Sequence, residues 1–229
     1  MDADGVDVAV CLGWPFADPR LLAEQNDWLA AVTGAHPDRL IGFGCVNPAD
    51  PGAAAEATRC ARLGLRGLGE LNADAQGWQP ADCAPVLVAA AAADLVCTVH
   101  ASEPVGHRYP GKGTMTPAPL EELATAAVTA GVRLVLAHAG GGLPLLAHMP
   151  EVADLCAHLW FDTAAVPFLY SPSVHGAVLA AAGPGRLLLG SDFPLLRVPR
   201  TRDHLRASGL GEADLAAVTG GAAVALLGL

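Results

Sequence analysis

Seven short, almost uninterrupted apolar runs recur along the chain, at residues 6–12, 40–46, 65–71, 95–101, 133–139, 159–163 and 186–191. Runs of this length, without alternation of apolar and polar positions, predict strands covered on both faces, as in a parallel sheet. Ala/Leu-rich stretches separate them, among them 53–63, 85–93, 120–130 and 174–182, each long enough for about three helical turns. Gly64, Gly131 and Gly183 fall just after three of these stretches, where a glycine commonly closes a helix. A last apolar-periodic stretch, 212–227, predicts a closing helix, and residues 2–5 read as the tail of a helix with no strand before it. Strand and helix alternate throughout, so the pattern predicts a single α/β domain over residues 1–229. Its architecture is a TIM-type (β/α) barrel with seven recognisable strands and the first barrel strand missing.

Composition supports that reading and narrows the partners. Hydrophobic residues make up 52% of the chain but aromatics only 5%, so the core must be built from small aliphatic side chains. Thirteen Lys and Arg stand against 23 Asp and Glu, a formal net charge of −10, which argues against nucleic acid or an anionic membrane as partner and for a small-molecule substrate. Six cysteines are scattered singly with no CxxC pair, which predicts reduced core thiols. The first residues lack the basic and apolar regions of a signal peptide, and no run is long and apolar enough to span a bilayer. A cytoplasmic protein is expected.

In a parallel barrel the active site is built at the C-terminal ends of the strands, so a polar residue closing an apolar run is the signal to look for. Four runs supply one: Glu70 in Gly-Leu-Gly-Glu-Leu, His100 in Val-Cys-Thr-Val-His, His138 in Val-Leu-Ala-His-Ala-Gly-Gly-Gly, and Asp192 in Leu-Leu-Leu-Gly-Ser-Asp-Phe-Pro. Taken singly, a strand histidine is more often a hydrogen-bonded core residue, and an Asp just ahead of a proline a helix cap or turn former. Two imidazoles and two carboxylates at matching ends of four strands instead suit a divalent metal, of which Zn²⁺ fits such donors best.

His100, His138-Ala139-Gly140-Gly141 and Gly190-Ser191-Asp192-Phe193-Pro194, in this order, resemble the amidohydrolase-related family that includes aminocarboxymuconate-semialdehyde decarboxylase. Pro37-Asp38-Arg39-Leu40-Ile41-Gly42-Phe43, Phe161-Asp162-Thr163-Ala164-Ala165 and the closing Leu226-Leu227-Gly228-Leu229 extend the likeness over nearly the whole chain. The resemblance implies that His100 is a metal ligand and that His138 is a second ligand or the imidazole that handles protons. Asp192 would be a ligand or the base that activates metal-bound water. Glu70 matches less firmly: the position bridges two metals in some members and in others touches the substrate or nothing.

The family's first strand normally ends in a His-x-His pair, and no such pair occurs in this sequence. A reading that starts late in a longer chain explains the absent strand and the absent ligands together and is preferred; a naturally shortened protein that has lost metal chemistry is the rival. The expected function is metal-dependent hydrolysis of a small carboxylated or cyclic compound. The alternatives are non-oxidative decarboxylation by the same residues and a non-catalytic ligand-binding relic.

The long Gly/Pro-rich segment 102–113 follows the strand ending in His100 and is expected to cover the site, with His107, Arg108, Tyr109 and Lys112 as candidate contacts for an anionic substrate. Its Gly-x-x-x-x-Gly-Lys pattern is followed by Gly113 rather than Ser or Thr, which argues against a phosphate-binding loop. Arg197 and Arg200 are weaker candidates for the rim, and Trp14, Phe16 and Trp78 for its walls. His36, His148, His158, His175 and His204 sit in helical or loop contexts without a convergent partner and are expected to be structural or on the surface. A barrel short of one strand leaves unpaired edges, so a homo-oligomer is expected.

Overall fold

A computed structural model describes residues 1–229. Seven strands lie in the seven predicted places: β1 Ala9–Leu12, β2 Leu40–Gly44, β3 Gly67–Leu71, β4 Val96–Val99, β5 Leu134–Leu136, β6 Trp160–Asp162 and β7 Leu187–Leu188. Their order in the sheet is their order in the chain. With a helical connection between successive parallel strands, this is the architecture of a TIM-type (β/α) barrel, seven-stranded in this chain.

The chain forms two compact units, one of Met1–His100 with Glu122–Leu134, the other of Ala101–Glu121 with Val135–Leu229. In the first unit β1 pairs in parallel with β2 (Val10 opposite Ile41, Leu12 opposite Phe43), β2 with β3 and β3 with β4. Helix Pro19–Ala35 begins where the Asp18 side chain accepts the Arg20 N–H and Pro19 occupies the first turn, where its missing N–H costs nothing. It buries Leu22, Asn26, Leu29 and Thr33, a stripe at helical spacing. Asn26, completely buried, is a polar clasp within this stripe. Its amide donates to the Cys45 carbonyl (3.0 Å) and to Glu56 (2.7 Å) and accepts from the Cys45 N–H (2.8 Å), tying the helix to the end of β2. Helix Ala53–Arg62 buries Ala53, Ala57 and Cys60 by the same periodicity, and Ala84–Ala92 buries Val86, Leu87 and Ala90. Leu65, Leu68, Leu71 and Trp78 complete this core, each burial of a large apolar side chain contributing about 1.5–3 kcal/mol.

In the second unit β5 pairs in parallel with β6 and β6 with β7. Leu136, Leu143, Leu159, Phe161, Val166, Val178 and Leu187 form its core. Helix Val174–Ala182 spans the residues expected, whereas the predicted closing helix is three pieces: Glu212–Ala216, a π-type turn Ala217–Gly221 and Ala222–Leu227. Gly220 adopts an extended φ of 166° inside it, a conformation that interrupts the helical hydrogen-bond ladder. Gly64 and Gly131 close their helices at φ 88° and 77° as expected, while Gly183 is at φ 92° with ψ 169°, outside the left-handed helical region. Residues 2–4 form a single 3₁₀ turn capped by Gly5.

All six cysteines are unpaired, five of them buried. No helix is long and apolar enough to cross a membrane.

Candidate metal and proton-transfer site

Glu70 and His100 end adjacent strands of the first unit. The Glu70 backbone is fixed at three points: its N–H donates to the Gly13 carbonyl (3.1 Å), its carbonyl accepts from the Cys45 thiol (3.5 Å), and the preceding Gly69 carbonyl accepts from the Gly13 N–H (2.7 Å). The His100 N–H donates to the Leu71 carbonyl (2.9 Å), continuing the β3–β4 ladder by one residue. The two side chains therefore project side by side, with His100 Nδ1 3.4 Å from Glu70 Oε1. They are 12% and 22% exposed, so the pair is shielded yet reachable. At 3.4 Å the two are further apart than a good N–H···O bond requires. Two donors held about 2.1 Å from one tetrahedral ion stand roughly 3.4 Å apart, so this spacing fits a shared divalent cation.

His138 belongs to the second unit and is 5% exposed. The predicted strand 133–139 ends early, because the backbone turns left-handed at His138 (φ 57°, ψ 48°) and Ala139 (φ 54°, ψ 31°). For residues with a Cβ this costs roughly 1–2 kcal/mol each. The His138 N–H donates to Asp162 Oδ1 (2.9 Å), and that oxygen also accepts the Ala164 N–H (3.0 Å). The imidazole Nδ1 lies 2.9 Å from the Ala164 carbonyl. A carbonyl can only accept, so Nδ1 carries the hydrogen and Nε2 holds the lone pair. Metal-binding and proton-transferring histidines are held in one tautomer by such a bond.

Asp192 is exposed and also left-handed, at φ 61°. Its carbonyl accepts the Leu195 N–H (2.7 Å), forming the turn after β7. That turn is tied to β6 by Thr163, whose hydroxyl donates to the Gly190 carbonyl and accepts the Gly190 N–H, both at 2.9 Å.

The segment after His100 is a closed loop. Ser102 binds Met115 and Gly113 across its base, through its N–H and its Oγ, each at 2.8 Å. Two of the four expected contact residues hold the loop itself. Lys112 Nζ donates to the Val105 carbonyl (2.5 Å) and the His107 carbonyl (3.2 Å) and stands 3.8 Å from Glu103 Oε2, while the Tyr109 hydroxyl donates to the same oxygen (2.8 Å). His107 and Arg108 are exposed at the loop's tip. Glu103, absent from the sequence-based candidates, is 9% exposed, and its Oε1 has no hydrogen-bond partner. The Tyr170 hydroxyl is buried beside this carboxylate; burial first, and then the Glu103 charge for Tyr170 and the hydrogen bond to Glu103 for Tyr109, push both tyrosines above the ordinary range.

The expectation that His175 and His204 lack partners is corrected: His175 Nε2 meets His204 Nδ1 at 2.9 Å, and His204 Nε2 reaches the Tyr170 carbonyl at 3.1 Å. Residues 29 apart on two helices gave no sign of this in the sequence. Trp78 is fully buried with its indole N–H on Gln76 (3.0 Å), and Trp14 is 69% exposed.

No curated protein matches the sequence. Among solved structures, the fold is similar to the 5-carboxyvanillate decarboxylase of Sphingomonas paucimobilis (TM-score 0.81, 21% identity, covering 100% of this chain and 81% of that one). It is also similar to the 2,6-dihydroxybenzoate decarboxylase of Rhizobium (TM-score 0.77, 20% identity, 100% and 86%). A third such structure is the dihydroxybenzoic acid decarboxylase of a Polaromonas species, solved with bound manganese and the inhibitor 2-nitroresorcinol (TM-score 0.79, 22% identity, 100% and 84%). Residues 17–229 match the family model described as Amidohydrolase. With strand-end Glu70, His100, His138 and Asp192 on a parallel βα fold, and a family match over nearly its whole length, the chain belongs to the amidohydrolase family of enzymes.

Proposed function

We propose that the protein is a metal-dependent, non-oxidative decarboxylase of a small cyclic carboxylic acid, and that Glu70, His100, His138 and Asp192 are the residues on which the reaction depends. The observation that carries the metal reading is the Glu70–His100 pair, whose 3.4 Å separation suits two ligands of one ion better than a hydrogen bond. Asp192 would be a further carboxylate ligand. The bound ion would supply charge neutralisation for the substrate carboxylate and an adjacent oxygen. Zinc suits the mixed imidazole and carboxylate donors, and manganese, present in the Polaromonas relative, suits a carboxylate-rich set.

His138 handles the proton. Its Nδ1–H rests on the Ala164 carbonyl, so Nε2 takes up a proton and the resulting imidazolium stays anchored. When the carbon–carboxylate bond breaks, carbon dioxide leaves and the electron pair remains on the ring carbon. Nε2 then delivers its proton to that carbon. Lys112 and Tyr109 fix the 102–113 loop, leaving Arg108 and His107 at its tip as the candidate contacts for an anionic substrate.

Hydrolysis, favoured from the sequence, would use the same residues with Asp192 accepting a proton from the attacking water. Three solved structures of similar fold bear decarboxylase names, which weighs towards decarboxylation. The test is to load the purified chain with Mn²⁺ or Zn²⁺ and offer hydroxylated benzoic acids beside a set of lactones and amides, following carbon dioxide release and product mass. Carbon dioxide release that disappears in His138→Asn supports the proposal. Turnover of lactones or amides alone establishes the hydrolytic reading, and a chain that binds neither metal refutes both. The remaining expectation, a homo-oligomer, is supported by the alternate exposed apolar positions Val10 and Leu12 along β1 and Val8 just before it (40%, 42% and 44% exposed). A monodisperse monomer by light scattering would refute it.

A further inference from the structure

We infer that Asp162 is a positioning residue that sets both the backbone conformation and the tautomer of His138. It lies at the end of β6 and is 9% exposed. A single oxygen, Oδ1, accepts the N–H of His138 at 2.9 Å and the N–H of Ala164 at 3.0 Å. The first bond holds a non-glycine residue in the left-handed conformation that turns its ring away from the line of β5. The second holds the N–H of Ala164, the residue whose carbonyl, in the next peptide unit, takes the His138 Nδ1–H at 2.9 Å. Asp162 thus grips both ends of one imidazole: its main chain directly, and its ring through Ala164.

The arrangement is over-determined for a merely structural role. A carboxylate needed only to cap the end of β5 would have no reason to hold also the residue whose carbonyl fixes the ring nitrogen. Ala164 and Ala165 are themselves buried, and Ala165 is left-handed at φ 55°, so the peptide cannot reorient without disturbing its neighbours. Holding Nδ1 protonated keeps the basic lone pair on Nε2, the atom assigned to proton transfer. The inference rests on that assignment for its catalytic consequence, but not for the tautomer itself.

The experiment uses the full chain labelled with ¹⁵N. A multiple-bond ¹H–¹⁵N spectrum reports the tautomer of each histidine, with His138 assigned by its disappearance in His138→Gln. The wild type is expected to show His138 in the Nδ1–H form. Asp162→Ala is expected to populate the Nε2–H form and to lower kcat by about 10–100-fold with a smaller change in KM. Asp162→Asn, which keeps an acceptor oxygen, is expected to restore the Nδ1–H form and most of kcat. An Nε2–H form in the wild type overturns the inference, as does a folded Asp162→Ala chain with unaltered tautomer and kcat. If Asp162→Ala does not fold, Asp162→Leu, of similar shape but without an acceptor, carries the test, and an unaltered Nδ1–H form in that variant overturns the inference. Metal content, measured on the same samples, is separate: a chain without bound metal whose His138 tautomer still depends on Asp162 refutes the metal reading and leaves this inference standing.

Discussion

The His175–His204 pair should make stability depend on pH in a way that one substitution removes. The Tyr170 carbonyl beside His204 Nε2 can only accept, so that nitrogen carries hydrogen and His204 Nδ1 is left as acceptor. His175 Nε2–H then donates to it, and His175 Nδ1 is a buried lone pair without a partner. A proton added there would enter a fully buried residue facing another imidazole. Burial first, and the neighbouring His204 second, accordingly push His175 down to about 4 from 6.5, and burial lowers His204 as well. Because the folded value lies below the unfolded one, the unfolded chain binds more protons between the two, and stability rises with pH there. The contribution is fully present above pH 6.5 and is lost as the pH falls towards 4. A shift of that size corresponds to about 3 kcal/mol. Urea denaturation followed by circular dichroism at several pH values from 7.5 to 4 would measure it in the wild type and in His175→Gln. The wild type should lose about 3 kcal/mol more than the variant across that range. Parallel curves would refute the reasoning, since carboxylates titrating near pH 4 are common to both proteins.

Three other outcomes follow from the packing. Asn26→Ala should cost about 2–4 kcal/mol in chemical denaturation, because it strands the buried N–H and carbonyl of Cys45 and one Glu56 interaction; a loss under 1 kcal/mol would mean that the clasp is replaced by water. Burial pushes the thiols of Cys45, Cys60, Cys83 and Cys97 up to about 12, so brief alkylation of the native protein at pH 8 should leave these four unmodified by mass spectrometry and label Cys11 first, the one cysteine that is not buried. Glu103→Gln should loosen the 102–113 loop, since Tyr109 and Lys112 both converge on that carboxylate; limited proteolysis should then cut within the loop at least several-fold faster than in the wild type.

The architecture and the strand-end residues were legible because a strand covered on both faces must be apolar, which makes each closing Glu, His or Asp conspicuous. Helix Pro19–Ala35 was not identified, since its inward stripe contains Asn26 and Thr33, polar residues whose burial makes sense only with Cys45 and Glu56 in place. Glu103 and Asp162 were passed over for a similar reason. Glu103 lies in a loop whose cationic residues drew attention as substrate contacts, whereas Tyr109 and Lys112 turn back onto it. Asp162 lies within the family-like segment Phe161–Ala165, but its grip on His138 joins residues 24 apart and depends on a carbonyl, a group every residue has. No residue type announces such a contact.

The three glycines after His138 show how a motif can be legible while its cause is not. As a sequence, His-Ala-Gly-Gly-Gly marks a turn after a strand. In the structure, Gly140 and Gly141 have φ of 62° and 56°, continuing the left-handed path begun at His138. A Cβ on Gly140 would stand 2.7 Å from the Phe161 ring, and one on Gly141 would collide with the Ser102 carbonyl. Both positions are thus closed to side chains by close packing and by backbone conformation at once. The consequence reaches the imidazole. Phe161 immediately precedes Asp162 in β6, so the residue whose ring forbids a side chain at Gly140 shares a peptide bond with the residue whose carboxylate holds the His138 N–H. An alanine at Gly140 would have to displace Phe161, moving Asp162 with it. Gly140→Ala should therefore disturb the His138 tautomer without touching the ring, and a spectrum in which the tautomer is unchanged while the chain is folded would separate the packing of this turn from the orientation of the histidine.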